Sequence, residues 1–331
     1  MLDDRIAAKT AIGLLRFQPE RVRAILDPRH AGRPLHRVCP WLGGPDLAIP
    51  IVARLDDVAR ESDELVVGFA PFKGCLSAHQ RELLLGAAAS GVQVLNGLHD
   101  LLPPSEFITN LRAFDPDDRV VAEGAEFDSV RILTVGTSHG VGKMTATVLL
   151  SSALRAAGVS ADWLATGQTG LLLRSVGRVI DAIPIDFVPG IVERLLLELE
   201  RHADVIVVEG QGSLFHPSYS PSTFALLHAA RPQYVVLCHR PGQLLHDDFR
   251  QPLPTVEDAA ATYAKVSDAI GVRTTLLGVC LDTADATAEA AEKMCQTVAI
   301  ELGVPCVDPV RAGTSALVRR FLVLEGVALS S

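Results

Sequence analysis

Short apolar runs alternate with amphipathic stretches along the chain, and together they predict strands and helices of the α/β class. Near the start, the run 65–70 predicts a strand, residues 77–90 predict a helix and residues 92–95 predict a second strand. Ser77 is a suitable N-cap for that helix, and Gly91 stands where a glycine often ends one. A strand, a helix and a strand at this spacing indicate a βαβ unit with a parallel sheet.

A polar segment at 112–130 interrupts this pattern with several carboxylates and a proline, which is typical of a connector between domains. The pattern then restarts. Strands are predicted at 130–135, 161–165, 205–208, 234–238 and 275–281, and helices at 142–157, 190–202, 256–270 and 285–302. The sequence therefore predicts an α/β domain over residues 1–125 and a second one over residues 126–331.

Composition narrows the classes of function. The 331 residues include 39 acidic and 30 basic side chains, and a net charge of −9 argues against a nucleic-acid partner. No apolar run approaches the ~20 residues of a membrane helix, and the start of the chain does not resemble a signal peptide. We therefore expect a cytoplasmic protein without a membrane partner, and its apolar-rich composition suggests a homo-oligomer. The six cysteines form no C-x-x-C pair, so we expect neither a disulfide framework nor a metal site.

A glycine-rich segment lies between the predicted strand 130–135 and the predicted helix 142–157, as a phosphate-binding loop requires. Glycines let backbone N–H groups turn inward, the helix N-terminus attracts anions and a lysine adds a positive charge. Only five of the 30 basic residues are lysines, so a lysine is not expected at this position by chance. The predicted cofactor-binding residues are Gly136, Thr137, Ser138, His139, Gly140, Val141, Gly142, Lys143, Met144 and Thr145.

This loop departs in two ways from the usual G-x4-G-K-[ST] pattern. It has five residues between its first glycine and the Gly142-Lys143 pair, a form that resembles the dethiobiotin-synthetase branch of P-loop proteins. Met144 stands where a hydroxyl would normally bind Mg²⁺, and a thioether is a poor ligand for that cation. Thr145 is displaced by about 100° around the helix. Phosphate binding is predicted, whereas Mg²⁺-dependent phosphoryl transfer is not favoured.

Further polar residues follow predicted strands, at the edge where open parallel sheets bind ligands. Glu209 ends the strand 205–208 and could serve as an acid or base, or simply accept hydrogen bonds from loop amides. His216 is catalytic or structural, and Asp186 acts in the site or caps the following helix. The candidate substrate-binding residues are Gln168, Thr169, Arg174, Arg178, Gln211 and Ser213, the arginines as clamps for a carboxylate.

Taken together, the segments 136–145, 165–170 and 208–214 resemble the DgcN-type D-glutamate N-acetyltransferase family, first defined as a domain of unknown function. Segments 216–219, 225–228, 231–232 and 237–242 also resemble it, whereas 71–74 departs from the glycine-rich pattern expected there. The resemblance implies a Rossmann-like N-terminal domain and a P-loop NTPase-like C-terminal domain. It also implies acetyl transfer from acetyl-CoA to the α-amine of an acidic D-amino acid, most specifically D-glutamate, with the loop holding the CoA phosphates.

For that reaction, the resemblance makes Glu209 the expected base, with Asp186 and His216 as alternates. Backbone N–H groups of residues 210–213 would stabilise the oxyanion, and Arg174 or Arg178 would hold the substrate carboxylates. Two rival functions stay open. One is an ATP- and Mg²⁺-dependent ligase or synthetase of the dethiobiotin-synthetase type, and the other is a nucleotide-binding protein without catalysis.

Overall fold

The fold is taken from a computed structural model that describes residues 2–42, 47–58, 64–70, 74–174, 176–247 and 249–326. Pro71, Phe72 and Lys73, in the segment that departs from the family pattern, lie outside the described residues. The chain packs as two units. The first comprises the residues up to Phe114 and the segment that begins at Gln168, and the second comprises Asp115–Gly167 and the residues from Val176 onward. The predicted boundary at 125/126 stays a prediction.

The first unit contains two small parallel sheets. One pairs β1 (Ile25–Leu26) with β2 (Ile51–Val52), and the other has the order β3 (Glu64–Val66), β4 (Gln93–Asn96), β5 (Ile108–Asn110). Two apolar clusters form its core, one of which includes Leu84, Val94 and Leu102. Its helices are α1 (Lys9–Phe17), α2 (Leu35–Val38), α3 (Ala78–Ala89) and α5 (Gln168–Leu173).

The second unit is built on a six-stranded, wholly parallel sheet. The strands are β6 (Val130–Gly136), β7 (Ala161–Leu164), β8 (Val205–Val208), β9 (Tyr234–His239), β10 (Thr275–Leu281) and β11 (Cys306–Val307). Their order is β11-β10-β9-β6-β8-β7, which puts β6 between β8 and β9. The helices are α4 (Lys143–Ala156), α6 (Val188–Leu199), α7 (Ser220–Ala230), α8 (Val256–Ala269), α9 (Ala288–Leu302) and α10 (Ser315–Leu324). Strands β6 and β8 are almost wholly buried, as expected for a sheet covered on both faces.

Most of the elements predicted from the apolar pattern are present. Ser77 caps α3 through a reciprocal capping box with Gln80, and Gly91 adopts a left-handed φ of +88° just beyond the helix. The strand predicted at 65–70 is shorter and shifted, since β3 ends at Val66. The glycine-bracketed polar segment 166–170 has the composition of a turn, yet residues 168–173 form the short helix α5.

Glu193 of α6 and Glu200, the C-cap residue of the same helix, hold the predicted connector in place. Glu193 is buried and accepts hydrogen bonds from the amides of Glu123, Gly124 and Ala125 at 2.8–3.0 Å. Glu200 lies two turns later and accepts the Ser129 hydroxyl at 3.2 Å. Part of the connector therefore takes its hydrogen-bond acceptors from α6 and from the residue that caps it.

None of the helices in the described parts of the chain combines the length and apolar character needed to cross a bilayer. The cytoplasmic location and the homo-oligomeric state stay predictions.

We expect Glu193→Ala to lower the free energy of unfolding by about 1–3 kcal/mol, because three backbone amides of the connector lose the buried carboxylate that accepts their hydrogen bonds. Glu198→Ala is the matched control, since Glu198 is exposed on the same helix. Its effect should stay within about 0.5 kcal/mol. Thermal unfolding followed by circular dichroism measures both, and equal melting temperatures would contradict the role assigned to Glu193.

Candidate functional site

The loop between β6 and α4 has the backbone of an anion cradle. Gly140 and Gly142 adopt left-handed φ values of +66° and +94°, and Gly142 is the N-cap of α4. The first-turn amides of a helix have no intrahelical acceptors and carry the positive end of its dipole. Lys143 is the first residue of α4 and is buried, and its Nζ donates to the Ser138 carbonyl at 2.8 Å. The predicted phosphate loop is thus formed, with its ammonium group at the loop.

Two histidines fix the hydroxyl groups of this loop. Thr137 Oγ1 lies 2.9 Å from His239 Nδ1, and Ser138 Oγ lies 2.8 Å from His246 Nδ1. Burial lowers the pKa of His239 to about 4, and burial is also the main cause of a lowered pKa at His246. Both rings are therefore neutral near pH 7. The hydroxyls of Thr137 and Ser138 therefore each have a hydrogen-bond partner within the protein.

An arginine from the loop after β9 supports the tip of the phosphate loop. Arg240 donates through Nη2 to the Gly140 carbonyl and through Nε to Asp282 Oδ2 at 3.4 Å. Its side chain is only 12% exposed, so these contacts hold the guanidinium in place. Another residue of the loop, His139, has its Nε2 3.8 Å from a carboxylate oxygen of Asp247. Sequence reasoning assigned no role to Arg240, although it lies in one of the segments that resemble the family.

Glu209 joins the ends of β7 and β8. Its Oε2 accepts the amides of Thr166 and Gly167 at 2.9 and 3.2 Å, and its Oε1 accepts Gln211 Nε2 at 3.3 Å. The Thr166 hydroxyl donates to the Glu209 carbonyl at 2.7 Å. These contacts match the structural alternative that the sequence left open for this carboxylate. The role of Glu209 as a base stays a prediction.

The loop after β8 packs directly on the end of β6. A Cβ atom at Gly210 would lie 1.7 Å from the Thr134 carbonyl oxygen, so no other residue fits there. The Gly136 carbonyl accepts hydrogen bonds from Ser213 Oγ at 2.8 Å and from the Tyr263 hydroxyl at 2.9 Å. Ser213 is buried beside the start of the phosphate loop, and its role in substrate binding stays a prediction. Sequence reasoning missed Tyr263, whose only visible signal is that it is the sole aromatic residue of α8.

His216 is held in one orientation. Its Nδ1 accepts the amides of Ser218 and Tyr219, both at 3.2 Å. Burial, followed by the charges of His246 and Lys143, lowers its pKa to about 4. It is therefore neutral near pH 7.

The rings around His216 form a compact cluster. Tyr219 stacks on it with ring centroids 4.4 Å apart, and His139, His246 and Phe249 meet it edge-on at 4.7, 5.0 and 5.0 Å.

Three further predicted residues belong to the first unit. Gln168 and Thr169 lie on α5 in the first unit, where Arg112 Nη2 donates to Gln168 Oε1 at 2.9 Å and the hydroxyls of Thr10 and Thr169 lie 3.1 Å apart. Arg174 follows α5 and donates its amide to the Gly170 carbonyl at 2.9 Å.

Two predicted residues lie around α6. Arg178 and Arg194 share the buried Asp118 carboxylate at 3.2 and 2.9 Å. Asp186 is exposed and does not cap α6, whose N-cap is Phe187 and has no side-chain cap.

With this geometry established, comparison with known proteins decides the family. Residues 120–318 match DUF1611_C, described as a P-loop domain of unknown function, and residues 28–113 match its Rossmann-like partner DUF1611_N. The chain belongs to this family. A solved structure of a DUF1611 family protein from Anabaena variabilis has a TM-score of 0.87 at 30% identity and covers 96% of this chain and 95% of its own.

Two curated relatives carry the name D-glutamate N-acetyltransferase. The protein from Pseudoalteromonas sp is 31% identical over 76% of this chain and 79% of its own length. The protein from Tritonibacter scottomollicae is 30% identical over 95% of this chain and 94% of its own length. These findings confirm the predicted family and the predicted Rossmann-like and P-loop fold. They also confirm that the DUF1611 chain is an acyltransferase.

Acid is expected to weaken the folded state between about pH 6.5 and pH 4. His216 and His239 have pKa values of about 4 in the folded protein, whereas histidine in an unfolded chain titrates near 6.5. The unfolded state binds more protons within this window, so this contribution to stability is complete above pH 6.5 and falls as the pH drops. Each histidine contributes at most about 3 kcal/mol.

Melting temperatures between pH 7 and pH 4.5 measure this dependence. His239→Gln should flatten the pH dependence, whereas the control His228→Gln, at an exposed site on α7, should leave it unchanged. Parallel curves for wild type and His239→Gln would contradict the buried neutral state of His239.

Proposed function

We propose that this acyltransferase moves the acetyl group of acetyl-CoA to the α-amine of D-glutamate, and that the loop 136–143 holds the CoA phosphates. The observation that carries the cofactor assignment is a phosphate loop without the usual metal-binding hydroxyl: Lys143 is in place and Met144 follows it. The shared name of the two curated relatives supports the reaction and the substrate.

Acetyl-CoA suits this loop better than ATP does. Its thioester is already activated, so no phosphoryl transfer and no Mg²⁺ are required for the reaction. Its pyrophosphate and 3′-phosphate can bind to backbone amides, a helix N-terminus and a lysine. The left-handed glycines Gly140 and Gly142 and the buried Lys143 supply these groups. The thioether sulfur of Met144 is a much poorer ligand for Mg²⁺ than the oxygen of a hydroxyl group.

The proposed reaction forms a C–N bond, breaks the C–S bond of the thioester and moves one proton, and it consumes no further co-reactant. The neutral amine of D-glutamate attacks the thioester carbonyl, the C–S bond breaks, and the amine proton reaches the departing thiolate through a base. The products are N-acetyl-D-glutamate and CoA with a free thiol. Glu209, Asp186 and His216 stay predictions for that base. Their contacts favour none of them, because both Glu209 oxygens accept hydrogen bonds, the His216 Nδ1 is occupied and Asp186 is exposed.

The carboxylates of the substrate need cationic partners. Arg174 stays a prediction for this role. The guanidinium of Arg178 already pairs with Asp118 through Nε and donates through Nη1 to the Gly177 carbonyl, so part of it is engaged. Backbone donors of residues 210–213 for the oxyanion also stay a prediction, although the Gly210 amide already donates to Thr134 Oγ1 at 3.0 Å.

We expect release of the CoA thiol from acetyl-CoA with D-glutamate, at rates above those with L-glutamate, in the presence of EDTA and without ATP. A thiol-trapping assay against a panel of D- and L-amino acids measures this. Absence of thiol release with both D-glutamate and D-aspartate would overturn the proposed reaction. Turnover that requires ATP and Mg²⁺ would favour the ligase instead.

We expect Lys143→Met to weaken CoA binding by about 10- to 100-fold, because a charge-assisted contact with phosphate is lost. The methionine keeps most of the apolar stem that packs inside the loop. Lys265→Met is the control, since Lys265 is exposed on α8. Isothermal titration with CoA compares the two, and equal affinities would remove the phosphate loop from CoA binding.

A further inference from the structure

His216 carries a buried polar atom that the fold leaves without a partner. The ring is 1% exposed, and its Nε2 has no hydrogen-bond partner among the residues that the structure describes. Buried side-chain donors in folded proteins are nearly always satisfied, and an exception needs an explanation. The rest of the ring is well ordered by contacts, so loose packing does not supply one.

The hydrogen bonds at Nδ1 determine where the proton of this ring lies. Two backbone amides, those of Ser218 and Tyr219, donate to Nδ1, which must therefore present its lone pair to them. A neutral imidazole has one N–H group, so the proton is on Nε2. The unpartnered atom is thus a fixed hydrogen-bond donor.

The ring that carries this donor packs against a residue of the phosphate loop. The His216 ring meets the ring of His139, a residue of the loop, with centroids 4.7 Å apart, and the Lys143 charge is near enough to disfavour its protonation. Three residues earlier, Ser213 Oγ donates to the Gly136 carbonyl, which ties the segment of His216 to the start of the loop. The donor and the loop therefore keep a fixed relation within one packed unit.

We propose that the Nε2–H of His216 donates a hydrogen bond to a phosphate oxygen of the ligand held by the loop 136–143. An anionic oxygen is the acceptor that an unpartnered donor next to a lysine and a helix N-terminus would attract most strongly. This inference rests on the proposed function only in taking CoA as the ligand.

Two substitutions distinguish the role of Nδ1 from that of Nε2. Asparagine accepts amide hydrogen bonds from the residues two and three positions later, which is the pattern at His216, so His216→Asn keeps the contacts of Nδ1 and removes the Nε2 donor. The longer glutamine side chain can place an N–H group near Nε2 but fits the two amides poorly. His216→Gln therefore keeps the donor and weakens the local turn.

The binding of CoA and of inorganic pyrophosphate to each variant tests the proposal by isothermal titration, with melting temperatures measured alongside. His216→Asn should keep a melting temperature near that of the wild type and weaken both ligands about 10-fold or more, the usual effect of losing a hydrogen bond to a charged group. His216→Gln should melt earlier and bind within about threefold of wild type. The control His228→Asn, on the exposed side of α7, should change neither quantity.

Wild-type affinity in His216→Asn would overturn the proposal and indicate that Nε2–H instead faces an aromatic ring of its cluster. Failure of the wild type to bind either ligand would overturn it as well, together with the phosphate-loop assignment. If the wild type binds CoA but does not acetylate D-glutamate, the proposed reaction fails, and the affinity of His216→Asn still decides the role of His216.

Discussion

The site depends on a close backbone approach between the loops that follow β6 and β8. Gly210 lies so near Thr134 that a side chain there would overlap its carbonyl oxygen, and the Gly136 carbonyl accepts the hydroxyls of Ser213 and Tyr263. These contacts fix the start of the phosphate loop, the direction in which the chain leaves β8 and, through the following turn, the orientation of His216. A disturbance at any of these residues therefore propagates to the anion cradle.

The sequence predicted the parts of this site that are local along the chain. The glycines and lysine of the loop, the buried strand before it and the helix after it are recognisable because strand, turn and helix signals lie within a few positions of one another. The residues that hold the loop were missed. His239, His246 and Tyr263 lie 102, 108 and 127 positions from their partners in the loop, and no periodic pattern encodes such pairings.

The segment that begins at Gln168 shows a different limit of prediction from sequence. Its glycines and polar residues favour a turn, yet it forms the short helix α5 because tertiary contacts override weak local propensity. Within the first unit, Gln168 packs against Gly97 and accepts from Arg112, and Gln18 donates to the Leu173 carbonyl at 2.9 Å. Residues predicted to bind substrate thus have structural partners, which their chemical type alone does not reveal.

If CoA is the ligand, as we propose, its length sets a constraint on catalysis. Its phosphates and its thioester lie at opposite ends of a long pantetheine arm, so a group that contacts the phosphates meets the acetyl group only if that arm folds back. Glu209 and His216 both adjoin the phosphate loop, since Gly210 lies against the Lys143 side chain and His216 against His139. With an extended arm, both residues would lie at the phosphate end of the ligand and away from its thioester. The base that deprotonates the amine then belongs near the far end of the arm, away from the glycine-rich turn that makes the sequence recognisable.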